Sequence, residues 1–131
     1  MEHAKFTPLG LDHVVLHVRD QAASRKFYVE TLGCTVDRVN ERLSLVHLRF
    51  GDAFIDLLPV DPAQPAEGGR ARMDHFCLSI HCDDLKRFAD DLRAKGVRIE
   101  AEVAQRYGAH GAGPSLYLRD PDDYVVELKP R

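Results

Sequence analysis

The sequence predicts an α+β fold built from two strand-helix-strand-strand-strand modules that share their inner faces. Three observations carry this. First, LDHVVLHVRD at 11–20 and MDHFCLSIHCDD at 73–84 repeat one arrangement: hydrophobe, Asp, His, alternating strand, second His, acid cluster. Second, each is followed by a helical pattern with a glycine stop and then by three strand-like runs. Third, PVDPAQPAEGGRAR at 59–72 carries three prolines and two glycines and reads as a linker between the halves.

Taken in order, 11–18 alternates as a strand, and 21–32 reads as a helix capped by Asp20. Phe27, Tyr28 and Leu32 stand at helical spacing, and Gly33 stops the helix. Strands follow at 35–39, 43–50 and 53–58, the last two joined by a Gly51-Asp52 turn. In the second half, a strand at 74–81 precedes a helix at 84–95. Asp83 or Asp84 is its cap, Leu85, Phe88, Ala89 and Leu92 form its apolar face, and Gly96 ends it. A strand at 97–102, a glycine-rich loop at 104–114 and strands at 115–119 and 124–129 complete the repeat, with a DPDD turn at 120–123. The chain reads as one domain over 1–131, made of a module at 9–58, the linker and a module at 73–129.

Composition narrows the function. With 131 residues and a net charge of −3, there is no basic run with interleaved aromatics to favour nucleic acid. No window reaches the roughly 18 apolar residues of a membrane span, and MEHAKFTPLG lacks a signal-peptide core, so a cytoplasmic protein is expected. Cys34, Cys77 and Cys82 make an odd count without a CxxC pair, which fits free thiols in a reducing compartment. Cys77, inside an apolar strand, reads as a small hydrophobe.

A module alone leaves one sheet face uncovered. Val14, Leu16 and Val18 form one apolar face of the first strand, suited to packing under a helix, and His13, Val15 and His17 form the other. In the second copy, Phe76, Leu78 and Ile80 oppose His75, Cys77, Ser79 and His81. The last strand of each module holds a carboxylate in an apolar setting: Asp56 in FIDLL and Glu127 in YVVEL. Such a group needs a partner, since burying it unpaired costs several kcal/mol. Two imidazoles (His13, His75) and two carboxylates at equivalent places suit one divalent ion: zinc, nickel, cobalt, manganese or ferrous iron. His17 and His81 lie farther along their strands, as pocket or barrel-end residues.

On LDHVVLHVRD, RKFYVETLG, MDHFCLSI and LYLRDPDDYVVEL, the chain resembles the vicinal oxygen chelate superfamily over roughly residues 9 to 129. That superfamily includes glyoxalase I, methylmalonyl-CoA epimerase, extradiol dioxygenases, fosfomycin-resistance thiol transferases and bleomycin-resistance proteins. RYGAHGAG at 106–113 is similar to the RTGA-x-G loop of small glyoxalase-domain proteins. Asp123 stands where the family's last hairpin has glycine. The resemblance implies paired βαβββ modules in an eight-stranded, half-open barrel around one divalent metal ion per site. His13, His75 and Glu127 match the commonest ligands, and Asp56 the fourth position, a methylene shorter than the usual Glu or Gln. It also implies a homodimer and a small-molecule substrate whose vicinal oxygens meet the metal; whether His13 and Asp56 meet Glu127 of their own chain or of the neighbour depends on the path of the 59–72 linker, which can span either.

Three functions follow as expectations. The first is a metal-dependent lyase or isomerase of glyoxalase type, with Glu127 as the base that removes a proton alpha to a carbonyl and Asp56 second. The second is an extradiol-type dioxygenase in which His13, His75 and Glu127 hold ferrous iron and His47 assists proton transfer. The third is a drug- or ligand-binding protein without catalysis, a reading disfavoured by the ligand set, which such relatives typically lack. Strand alternation places Leu45, His47 and Arg49, and Ser115, Tyr117 and Arg119, toward the pocket. Arg49 and Arg119 read either as clamps for a substrate carboxylate or as surface salt-bridge partners, and Arg106, Tyr107 and His110 sit on a segment that reads either as a lid or as a plain flexible hairpin.

Overall fold

The computed structural model describes residues 9–60, 73 and 75–131, so most of the expected linker lies outside the described residues. The first half contains β1 (His13–Val18), α1 (Gln21–Lys26, continued by a π-helical turn Phe27–Thr31), β2 (Thr35–Asn40), β3 (Leu45–Phe50) and β4 (Ala53–Pro59). The second contains β5 (Phe76–Ile80), α2 (Leu85–Ala94), β6 (Arg98–Gly108), β7 (Gly111–Arg119) and β8 (Val125–Pro130). The sheets have orders β1-β4-β3-β2 and β5-β8-β7-β6. In each, the first and last strands of the half pair in parallel and the other neighbours are antiparallel. The repeat in sequence is therefore a repeat in topology.

Local chemistry fixes the helix ends. Asp20 and Asp84 accept backbone N–H groups at Ala23 (3.0 Å) and Arg87 (3.1 Å), satisfying donors at each N-terminus. The expected helix at 21–32 loses α-geometry at Phe27: Leu32 N–H reaches back to the Phe27 carbonyl, and Gly33, at φ +78°, ends it. This wider turn accompanies the burial of Tyr28 beneath the first sheet.

Two cores lie on the helix-bearing faces. One contains Leu16, Val18, Tyr28, Val46, Leu48, Ile55 and Leu57; the other contains Leu85, Ala89, Leu92, Leu116, Leu118, Val126 and Leu128. Phe27, Leu32, Phe76 and Leu78 pack against both, so the sheets are joined through their helix-bearing sides. The faces carrying His13 and His75 lie on the far side of this packing, and the sheets do not close into a barrel.

One expected loop is a hairpin. Residues 104–114 continue β6 and β7, with Tyr107 opposite Ala112 and Gly108 opposite Gly111. The glycines that suggest a loop here allow close approach instead. A Cβ at Gly108 would meet the Lys129 Cε at 2.8 Å, and Lys129 Nζ donates to the carbonyls of Arg106 (2.6 Å) and Gly113 (3.0 Å).

The 120–123 turn ties the halves together. The buried Tyr28 hydroxyl donates to Asp120 Oδ2 at 2.7 Å, while Asp120 Oδ1 accepts the backbone N–H groups of Asp122 and Tyr124. Asp122 accepts from Arg19 N (2.8 Å), Arg19 Nε (2.9 Å) and Ser24 Oγ (3.1 Å). Burial pushes the Asp120 carboxyl above its ordinary range, opposed by the Tyr28 hydroxyl and the Tyr124 and Asp122 N–H groups, and pushes the Tyr28 phenol up. Asp123, in place of the family's glycine, takes φ +67°, a conformation that Asp tolerates better than most residues, and its carboxylate pairs with Arg98. Tyr28→Phe should lower stability by about 1.5–3 kcal/mol, the range for hydrogen bonds to charged groups, read as a lower urea midpoint at unchanged slope.

Candidate functional site

Asp56 and Glu127 occupy equivalent places. Asp56, on β4, stands opposite Val15 of β1 and His47 of β3; Glu127, on β8, stands opposite Cys77 of β5 and Tyr117 of β7. Each is the acid of a central strand on the face turned from the helices, and they are only 4% and 6% exposed. A carboxylate held that far from water needs polar company, which the neighbouring strands supply.

Beside Glu127, His75 Nε2 lies 3.3 Å from Oε1. Two donors about 2.1 Å from a common ion, at tetrahedral to octahedral angles, stand about 3.0–3.4 Å apart, so this pair has the spacing of two ligands on one metal. The His75 ring packs on Tyr117 (centroids 5.2 Å), and the Arg106 guanidinium lies 4.4 Å over the other partner of that contact, the Tyr117 ring. Arg106 is itself fixed by the Ser115 carbonyl (2.7 Å) and hydroxyl (3.0 Å). Burial and Glu127 raise the Tyr117 phenol.

On the first sheet, His13 Nδ1 is 2.7 Å from Asp12 Oδ1, leaving Nε2 as the nitrogen available to a metal. This hydrogen bond is the main cause that raises the His13 imidazole, with a smaller electrostatic contribution from Asp56. Asp56 Oδ1 is 2.8 Å from His47 Nδ1, and the His47 ring lies against Phe54 (5.4 Å).

The expected convergence of four ligands is not formed within one chain. The structure pairs His75 with Glu127 and sets Asp56 beside His47, but no group of three His, Cys, Asp or Glu among the described residues is close enough to hold a metal ion. The physical reason is the shared helix-side core, which joins the sheets without apposing their open faces.

Of the expected pocket residues, His47, Tyr117 and Arg106 adjoin the two acids. The expected clamps are already engaged: Arg49 Nε lies 3.2 Å from Asp37 and its guanidinium 4.5 Å over Phe54, while Arg119 makes a two-pronged pair with Glu100 (2.6 and 2.8 Å). Tyr107 and His110 mark the hairpin end; Tyr107 is 86% exposed, and His110 Nε2 accepts from Arg131 at 2.7 Å. Lys129 escaped the sequence reading, as did the roles of Asp12, as partner of the His13 ring, and of Cys77, as neighbour of Glu127. Asp12 was visible in the repeated Asp-His pair, and Lys129 follows Glu127 at the strand period. Cys77 is exposed on the Glu127 face, not core; partial burial and Glu127 push its thiol up to about 11, which disfavours a thiolate at neutral pH.

Residues 10–128 match the family model of the glyoxalase/bleomycin resistance protein/dioxygenase superfamily. The chain belongs to that superfamily. It is 29% identical to a "Probable lactoylglutathione lyase" of Vibrio parahaemolyticus, covering 88% of this chain and 86% of that protein. It is also 29% identical to virulence protein STM3117 of Salmonella typhimurium, covering 90% and 81%. An integron cassette protein from the mobile metagenome of V. cholerae superposes with a TM-score of 0.74 at 28% identity, covering 96% and 98%. Members of this superfamily generally use a divalent metal ion.

The Arg119–Glu100 pair gives a pH test. Arg119 holds the Glu100 carboxyl below its ordinary 4.5, so the pair's contribution is present above that pH and is lost as pH falls through the lowered value. Glu100→Gln should therefore lower Tm a little at neutral pH, a small effect because the pair is exposed, and converge with the wild type in acid, so that the acid limb of Tm against pH is slightly flatter.

Proposed function

We propose that the protein is a divalent-metal-dependent lyase or isomerase of glyoxalase type whose site is completed by two copies of the chain. The observation that carries this is the 3.3 Å His75–Glu127 pair, with His13 and Asp56 at the equivalent places on the other sheet. One copy supplies His13 and Asp56, and the other supplies His75 and Glu127, to an ion of the zinc, nickel, cobalt, manganese or ferrous class. The donor set fits: two imidazole nitrogens and two carboxylates, with Asp12 and Tyr117 holding the rings in place. The relatives named as lactoylglutathione lyases support the reaction class.

When bound, such an ion polarises a carbonyl and its vicinal oxygen. The chain does the rest. Glu127, anchored on a central strand and largely shielded from water, is the base that takes a proton alpha to that carbonyl and returns it at the neighbouring carbon. Asp56 is second in this role, because its Oδ1 already holds His47. Tyr117, stacked between His75 and Arg106, shields the reacting end from solvent.

Inductively coupled plasma mass spectrometry on untagged protein should find about one divalent ion per composite site, with the content falling to background in His75→Ala and Glu127→Ala. Nickel or zinc would favour lyase or isomerase chemistry, and iron the ring-cleaving alternative. Absence of metal after reconstitution with each candidate ion would overturn the reading in favour of a ligand-binding protein.

A further inference from the structure

A cavity of about 290 Å³ opens on the face that carries Glu127, lined by Cys77, Ser79, Glu127, Lys129, Arg131 and the hairpin end at 107–113. Its two ends differ in charge. Glu127 and Cys77 face each other across β8 and β5, and one same-face step further along, Ser79 faces Lys129. Same-face residues on a strand have Cα atoms about 6.6 Å apart, so the acid and the lysine enter the cavity from neighbouring same-face positions.

Lys129 is the unusual member. It is 8% exposed, and its Nζ meets only two carbonyls, those of Arg106 and Gly113, leaving one N–H of three. No carboxylate among the described residues lies within ion-pair distance of it. Neutral carbonyls satisfy hydrogen bonds but leave the charge of a buried ammonium uncompensated, and this favours an anion from outside. The glycines at 108 and 113 keep the space: a side chain at Gly108 would collide with Lys129, and one at Gly113 would touch Nζ at 3.6 Å. Nearby, the Ser79 hydroxyl lines the same cavity, and Arg131 stands at its rim beside His110.

We infer that this cavity is a carboxylate-binding subsite, in which Lys129 Nζ and Ser79 Oγ donate to a carboxylate of the substrate. With Glu127 as the base, which rests on the function proposed above, the substrate is a small oxygenated acid. Lys129 and Ser79 then set specificity, and the hairpin carbonyls hold the ammonium in place.

The test uses the full chain freed of metal by a chelator, so that its outcome does not depend on the metal site. A titration of ¹⁵N-labelled protein with lactate, beside neutral lactamide, reads the amides of Ser79, Gly108, Gly113 and Lys129. Lactate should give saturable shifts at these amides, and lactamide none. Lys129→Met should weaken lactate at least 10-fold and Ser79→Ala about 3-fold, while Lys129→Arg retains most of it. Equal shifts from lactate and lactamide, or lactate binding unchanged in Ser79→Ala and Lys129→Met, would overturn the subsite. Should Lys129→Met fail to fold, the lactate–lactamide contrast and Ser79→Ala decide. Loss of the subsite with metal binding intact would leave the proposed function standing, and the reverse result would separate the two in the other direction.

Discussion

The hydrogen bond from the Tyr28 hydroxyl to Asp120, 2.7 Å long and sealed from water, joins the two halves of the chain. It does not act alone. Asp122, one turn residue away, gathers Arg19 and Ser24, so the last hairpin of the second half is fastened to the first strand and helix of the other. Three donors are needed because Asp120 is buried and resists ionisation. Around this joint the residues Phe27, Leu32, Phe76 and Leu78 fuse the two cores. The consequence for function is direct: with helix-bearing sides bound together, the open faces are left to meet something else.

The open faces carry the chemistry. Each half carries one acid on its central last strand and one histidine at or just before the start of its first strand, so under the proposed function each chain would offer two half-sites and not one complete centre. A second copy placed over an open face would supply the missing pair and cover the exposed edges and apolar residues, such as Val15, that the single chain leaves in solvent. Under the proposed function, a shared site and the need for a partner would both follow from one packing choice.

Much of this was legible in the sequence, for reasons that differ by residue. The repeat, both N-caps and the alternation of Leu16 and Val18 against His13 and His17 are local patterns, and local patterns survive tertiary context. His13, Asp56, His75 and Glu127 stood out because each appears at the same place in both halves. The 104–114 segment was misread as a loop because glycine signals either a turn or a close backbone approach, and only Lys129, fifteen or more residues away, decides which. Arg49 and Arg119 were placed on the right strands, but their partners Asp37 and Glu100 sit across neighbouring strands, beyond the reach of a one-strand reading. The joint at 120–122 was seen only as a turn. Its role comes from Tyr28 and Arg19, more than ninety residues distant.

The central claim is that the metal site is assembled from two copies, and it is tested most directly by mixing two defective chains. His13→Ala and Glu127→Ala each break both sites of their own pair. A mixed pair contains one site that takes His13 from the Glu127→Ala chain and Glu127 from the His13→Ala chain, and so is intact. After dissociation and reassociation, with mixed pairs isolated through two different affinity tags that do not bind metal, the account predicts about one ion per mixed pair and none in either parent. Mixed pairs as empty as their parents, beside a wild-type control that binds metal, would contradict it and place all the ligands in one chain.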